Sequence, residues 1–249
     1  MSVKHGFVVV AALATNVIWL QASPVFSDLS TATTVGKGNE QLKKGDYEKA
    51  RQYYDAAIAQ APSAWGPYFT RAIALMHEGK WDLAIQDLNT VLRGRPGFFM
   101  AEVLRGEINE HLGNYSRALA DYERIVSITP TSLPFNRAFA LNGRAWLRAT
   151  CPDASFRNGK QAVADATSAC NCTSWSYAPY IDTLAAAYAE AGDFDAAMRF
   201  QQQAITHEHE DRSIKDPERR LAVSQHEIAI YQKHLAMYQR HQPYRSNLR

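Results

Sequence analysis

Two periodicities organise the apolar positions of this chain, one of three to four residues and one of thirty-four. The segments GDYEKARQYYDAAIAQAP (45–62), GKWDLAIQDLNTVLRGRP (79–96) and GNYSRALADYERIVSITP (113–130) share one skeleton. Each opens on a Gly, places an aromatic two residues later and an Ala three residues beyond that, and closes on a Pro. On a thirty-four-residue ruler the copies occupy 31–64, 65–98 and 99–132 without a gap. The pattern predicts two helices per copy, helix A before the Gly and helix B after it. In the first copy TVGKGNEQLKK forms helix A. Gly45 takes the left-handed conformation that ends this helix, and Asp46 caps helix B.

The recurring positions describe one packing unit. Ala50, Ala84 and Ala118 stand where two helices cross closely, so a larger side chain would push them apart. Tyr47, Trp81 and Tyr115 fill the space beside the turn, while Tyr54, Leu88 and Tyr122 lie further along the same helices. Pro62, Pro96 and Pro130 stop helix B, because proline donates no amide hydrogen and clashes with the preceding turn. A hairpin of this kind cannot bury its own apolar face and must stack on a neighbour. The three copies resemble the tetratricopeptide repeat (TPR), marked by this period, Gly-Asp-Tyr at the turn, Ala, aromatic and Ala in helix B, and a closing Pro. They depart from it in the first helices, where Thr34, Tyr68 and Glu102 replace its early Trp. The small residues Gly38, Ala72 and Gly106 keep their expected places.

Two less regular units follow. Residues 133–176 read as a TPR-like hairpin with an expanded turn around PDASF, with Ala145 in its first helix and Ala162, Ala166 and Ala169 in its second. Residues 177–211 restore the standard turn, although Gln201 stands where an aromatic is usual and no Pro closes the unit. From Pro217 to about His241, Leu221, Ile228, Tyr231, Leu235 and Tyr238 recur every three or four residues or at multiples of that spacing, which predicts a last helix covering the open end of the stack. Residues 212–249 are therefore read as capping helix and tail. The run from Asn142 to Arg245 also resembles a module that ends many bacterial TPR proteins of undefined role. The expected fold is all-α, an α-α superhelical TPR solenoid of about five helix hairpins with a C-terminal capping helix.

The N-terminus differs in kind. Lys4 and His5 precede the apolar run from Phe7 to Leu20, and QASPVFS follows it. That is the plan of a secretory signal peptide over residues 1–27, with cleavage after Ser27 preferred. Fourteen apolar residues fall short of the roughly twenty that span a bilayer, so no integral membrane span is expected in the mature chain. The expected location is secreted or periplasmic, in a bacterial envelope. Twenty-seven Lys and Arg against twenty-five Asp and Glu leave a formal charge of +2, too little to attract a nucleic-acid backbone. Only three cysteines are present, Cys151, Cys170 and Cys172, read as two buried free thiols and a third pointing elsewhere.

Candidate chemistry is sparse. The sequence holds no phosphate loop, nucleophile elbow or His-Glu-x-x-His, and no catalytic residue, metal ligand or cofactor is expected. His207 and His209 alternate with Glu208, Glu210 and Asp211 in what reads as a solvated helix end. His226, His234 and His241 share a face of the last helix opposite Ile228 and Leu235, read as solvent or partner surface. The TPR resemblance implies that another protein or peptide segment binds along the successive A helices. In this register the binding residues are Asn39, Lys43, Phe69, Ile73, His77, Glu107, Glu110 and His111. Asn39 matches the asparagine of the family's carboxylate clamp, but Thr70, Met100 and Leu104 stand where its other Asn, its Lys and its Arg belong. The resemblance therefore implies a non-catalytic interaction scaffold or adaptor; an accessory to an envelope secretion or polysaccharide-export system is the alternative.

Overall fold

A computed structural model describes residues 29–130, 134–210 and 217–246, and the side chains from 209 to 222 lie outside that description. The signal-peptide reading of residues 1–27, the tail beyond Ser246 and the core assignment of Leu221 thus fall outside the described residues. Every regular element among the described residues is helical. Two compact units, Met1–Asn114 and Tyr115–Arg249, divide the chain inside the third repeat.

The first unit contains α1 (Leu29–Lys43), α2 (Tyr47–Gln60), α3 (Trp65–His77), α4 (Trp81–Gly94) and α5 (Phe99–His111). Each A-to-B turn forms as its residues dictate. Gly45 and Gly79 have φ of +78° and +73°, in the left-handed region where a Cβ is penalised. The Asp46 side chain accepts a hydrogen bond from the Lys49 amide at 3.1 Å and caps α2. Both B helices, α2 and α4, end two residues before their prolines. Ala50, Ala84, Tyr54 and Leu88 have no exposed surface, which fits close helix crossings at the two alanines. At Gly38 the fit is tighter still: a Cβ there would lie 2.5 Å from the Tyr54 ring. The Tyr54 hydroxyl donates to Asn39 Oδ1 at 2.8 Å, so its burial leaves no orphaned donor.

The second unit contains α6 (Tyr115–Ile128), α7 (Pro134–Thr150), α8 (Gly159–Cys172), α9 (Ala178–Glu190), α10 (Phe194–Glu210) and α11 (Pro217–Tyr238). The expanded turn is present between α7 and α8, with a short 3-10 helix over Ala154–Phe156. Asp153 and Asn158 cap the two helices that begin there. Arg157 fastens this turn, donating to the carbonyls of Cys151 and Pro152 and to Glu190. Gly159 is needed for the close approach, since a Cβ would sit 2.6 Å from the Ala191 amide nitrogen. Cys151 and Cys170 are buried free thiols, and burial pushes Cys170 up to about 12, whereas Cys172 is half-buried.

The capping helix α11 packs on α10 and α9 with Ile228, Tyr231 and Tyr238 inward. After it the tail returns to α7, where the Ser246 amide donates to the Thr150 carbonyl at 3.0 Å. Arg245 pairs with Glu190 at 2.6 Å, so one carboxylate holds both the expanded turn and the tail. Two readings of this region are corrected. His234 is not on an outer face: it is 1% exposed, because α11 turns it toward α9 together with Tyr231 and Tyr238. Glu208 is not on a solvated helix end either, since α10 continues to Glu210 and Glu208 is buried.

Candidate functional site

The eight residues assigned to partner binding lie on α1, α3 and α5 of the first unit, at four register positions of successive A helices. Asn39, Ile73 and Glu107 share one position; Lys43, His77 and His111 share another, at the C-terminal ends of the helices. Their exposure differs sharply. Phe69 and Ile73 are buried, as are Asn39, Glu107 and Glu110. Lys43 and His77 are exposed and His111 is half-exposed. The structure therefore leaves the column at the helix ends as the open part of this surface.

That column is built by ring stacking between repeats. Tyr47, at the start of one B helix, lies parallel to His77 of the next repeat, with centroids 4.2 Å apart. Trp81 meets His111 at the equivalent place, with centroids 4.3 Å apart and the rings tilted by 47°. In the second unit Tyr115 meets Phe156 at 5.5 Å, and Phe194 stacks on His241 at 5.0 Å. Each joint pairs an aromatic at a B-helix start with a ring from a later unit, and three of the four second rings are imidazoles. Partial burial of His77 lowers its pKa from the ordinary histidine value, so the neutral ring is favoured in the stack.

Arginines tie the helices together beneath this surface. Arg71 holds Asp87 through two parallel hydrogen bonds of 2.8 and 2.7 Å and reaches Asp55 of the preceding repeat at 2.7 Å. Arg105 donates to Asn89, which occupies the position of Asp55 one repeat later. Arg144 holds Asp165 bidentately in the second unit. These recurrent arginines are thus committed to packing, within repeats as well as between them. Asp87 is 4% exposed; burial pushes its carboxyl up while Arg71 opposes the shift.

The first unit also carries a ring cluster on the loop before α5. Arg95 lies over Trp65 at 4.8 Å and over Phe98 at 5.3 Å, and Phe98 meets Phe69 edge-on at 5.0 Å. Phe69 is accordingly a packing residue in this structure. Asn39, the one clamp-like position, directs its side-chain oxygen to Tyr54. Among the described residues no group of three or more His, Cys, Asp or Glu is placed to hold a metal ion, and no helix is long and apolar enough to cross a membrane.

One constellation escaped the sequence reading. Asp182 on α9 is fully buried, and its Oδ1 accepts from Gln201 Nε2 on α10 at 2.7 Å and contacts His234 Nδ1 on α11 at 2.9 Å. The signal was present in Gln201: a polar residue in the place of Tyr54, Leu88 and Tyr122 calls for a buried polar partner.

The geometry defines a class: helix hairpins stacked in thirty-four-residue register, a scaffold for contact between proteins. Residues 35–97 and 69–132 match the family model of the tetratricopeptide repeat, so residues 35–132 carry that repeat. The chain is 32% identical over 103 residues to a tetratricopeptide repeat and J domain-containing co-chaperone, DNJ1, of Fusarium oxysporum. That match covers 41% of this chain but only 20% of the co-chaperone. Among solved structures it is similar to TTC0263, a thermophilic TPR protein of Thermus thermophilus (TM-score 0.60, 15% identity, 82% of this chain and 99% of that one). It is also similar to MamA of Desulfovibrio magneticus (TM-score 0.55, 18% identity, 75% and 99%). At those identities the likeness is one of fold.

Proposed function

We propose that the chain is a non-catalytic adaptor of the cell envelope that binds a segment of a partner protein across the A-helix ends of its first unit. The observation that carries the reading is the column of Lys43, His77 and His111, which the repeat register places at equivalent positions and which stays open while neighbouring positions are buried. Preformed helices lose little freedom on binding, so an extended segment bears most of the ordering cost. The charged start and apolar run at the N-terminus support delivery across a membrane, with the mature chain beginning at Asp28.

The test is crosslinking in the producing cell from a photoreactive residue at position 77, followed by mass spectrometry and N-terminal sequencing of the recovered chain. One protein should be captured reproducibly, and Lys43→Glu should cut its recovery at least about fivefold with the helical content unchanged. Equal recovery from wild type and variant would sink the binding surface, and a chain retaining Met1 would sink the delivery route.

A further inference from the structure

A helix leaves its last carbonyls without donors of its own, and α7 has them met from two directions. Pro152 has no amide hydrogen to offer the Arg148 carbonyl, so the Asn158 amide donates to it at 2.9 Å. Arg157 meets the carbonyls of Cys151 and Pro152 at 2.8 and 3.1 Å. These donors belong to the expanded turn itself. The two carbonyls between them are met by the tail. Arg245 donates to the Ala149 carbonyl at 3.4 Å, and Ser246 gives the Thr150 carbonyl its amide at 3.0 Å and its hydroxyl at 3.2 Å.

Three consecutive tail residues are each held by a different chemistry. Tyr244 is half-buried, its ring 5.7 Å from Trp146 and 4.3 Å from His234, and it packs against the cluster of Ala185, Ala189 and Tyr238. Arg245 donates to Glu190 at 2.6 Å, and the C-terminal end of a helix favours a cation beside it. Ser246 is recognised through its backbone and is buried. Pro243 holds its own φ near the extended value, so the segment arrives without helix or turn. Side-chain slots combined with main-chain bonds are how an extended peptide is recognised.

The site is built without the tail. Arg157 holds the other Glu190 oxygen at 3.1 Å and fastens the turn, so both stay placed when Arg245 leaves. The tail's own attachment is slight: the Arg245 side chain keeps 31% of its surface exposed. It leaves α11 through a turn in which His241 has φ of +55° and the Gln242 amide donates to the Met237 carbonyl, a place where glycine is usual.

We propose that the end of α7, with Glu190, Trp146 and His234, is a peptide-recognition site for an extended segment carrying an aromatic residue, an arginine and a free amide in succession, and that Tyr244–Ser246 occupy it as a resident, displaceable ligand. The occupant that replaces the tail is a segment of a partner protein with this chemistry. A second copy fits less well, since five residues past His241 reach about 17 Å at most and would force its α11 against the same site. The tether gives the resident tail a local concentration in the millimolar range, so a partner displaces it by adding contacts beyond these three residues. This site lies in the second unit and does not depend on the A-helix surface of the first.

The test uses the full chain and a labelled peptide of residues 242–246 with blocked ends, read by fluorescence anisotropy. Arg245→Glu sets the tail against Glu190 and frees the site. This variant should bind the peptide at least about tenfold more tightly than the wild type, and a peptide with Glu in place of its Arg should not bind. A variant with unchanged helical content that ignores the peptide, or takes both peptides equally, overturns the proposal. Should the variant fail to fold, hydrogen exchange of the Ser246 amide in the wild-type chain decides: excess peptide should speed it at least about threefold while α7 amides stay protected. Unchanged exchange makes the tail a fixed brace and sinks the idea. A wild-type dimer in sedimentation that Arg245→Glu abolishes would make a second copy the occupant and overturn the assignment to a partner.

Discussion

At the scale of single residues, the repeats are tuned in pairs. Tyr54 packs on Gly38, where a Cβ would come within 2.5 Å of its ring; one repeat later the corresponding positions hold Leu88 and Ala72. A large ring thus goes with a missing Cβ, and a smaller side chain with a methyl. Gly38→Ala alone should cost about 1–3 kcal/mol through overpacking of a fully buried ring. Combined with Tyr54→Leu, the two costs should sum to less than their separate values by about 1 kcal/mol or more, measured by urea denaturation. Simple additivity would show that the ring and the glycine do not constrain each other. Tyr122 meets a missing Cβ from the other direction: on the helix that follows its own, a Cβ at Gly143 would lie 2.7 Å from the ring.

At the scale of helices, Arg71 decides how α3 sits between α2 and α4. Its guanidinium neutralises Asp87, which has almost no exposed surface, and reaches Asp55 on the other side. Arg71→Ala should destabilise the chain by about 3 kcal/mol at neutral pH, chiefly by leaving the Asp87 carboxylate uncompensated rather than by losing a favourable pair. The sign of the pH effect separates these causes. Burial already raises the Asp87 pKa, and without Arg71 it rises further. The protonated form is then the one the fold tolerates, so the variant should recover stability as pH falls from 7 toward 4. Thermal melts across that range check this; a penalty that is constant with pH would assign the effect to packing of the arginine stem.

At the scale of the whole chain, the repeats were legible because their period is carried by residues whose physics is local: glycines at left-handed turns, alanines at crossings, prolines at helix ends. The last helix was legible as a cap from its apolar spacing, and Ile228, Tyr231 and Tyr238 are buried accordingly. His234 was misread because its face was judged from the wheel of α11 alone. Two elements distant in sequence, α9 and the tail, bring Asp182 and Tyr244 to it. On the candidate surface, the register placed the eight residues on the A helices, but burial of Phe69, Ile73 and Glu107 depends on packing that no repeat position encodes. Deleting residues 217–246 should uncover Ala185, Ala189 and Ala197, which cluster with Tyr238. The loss should be at least about 3 kcal/mol, with increased binding of an apolar dye. Unchanged stability would mean that the helix is an appendage. The stacked rings carry a different lesson, about what can be transplanted. Tyr47 needs His77, Trp81 needs His111 and Phe194 needs His241, so each joint is divided between two neighbours. A repeat excised on its thirty-four-residue boundaries takes half of two joints with it. Duplicating or grafting one therefore preserves the stack only where the recipient offers a ring on both sides, and the units that look interchangeable in sequence are bound to their order.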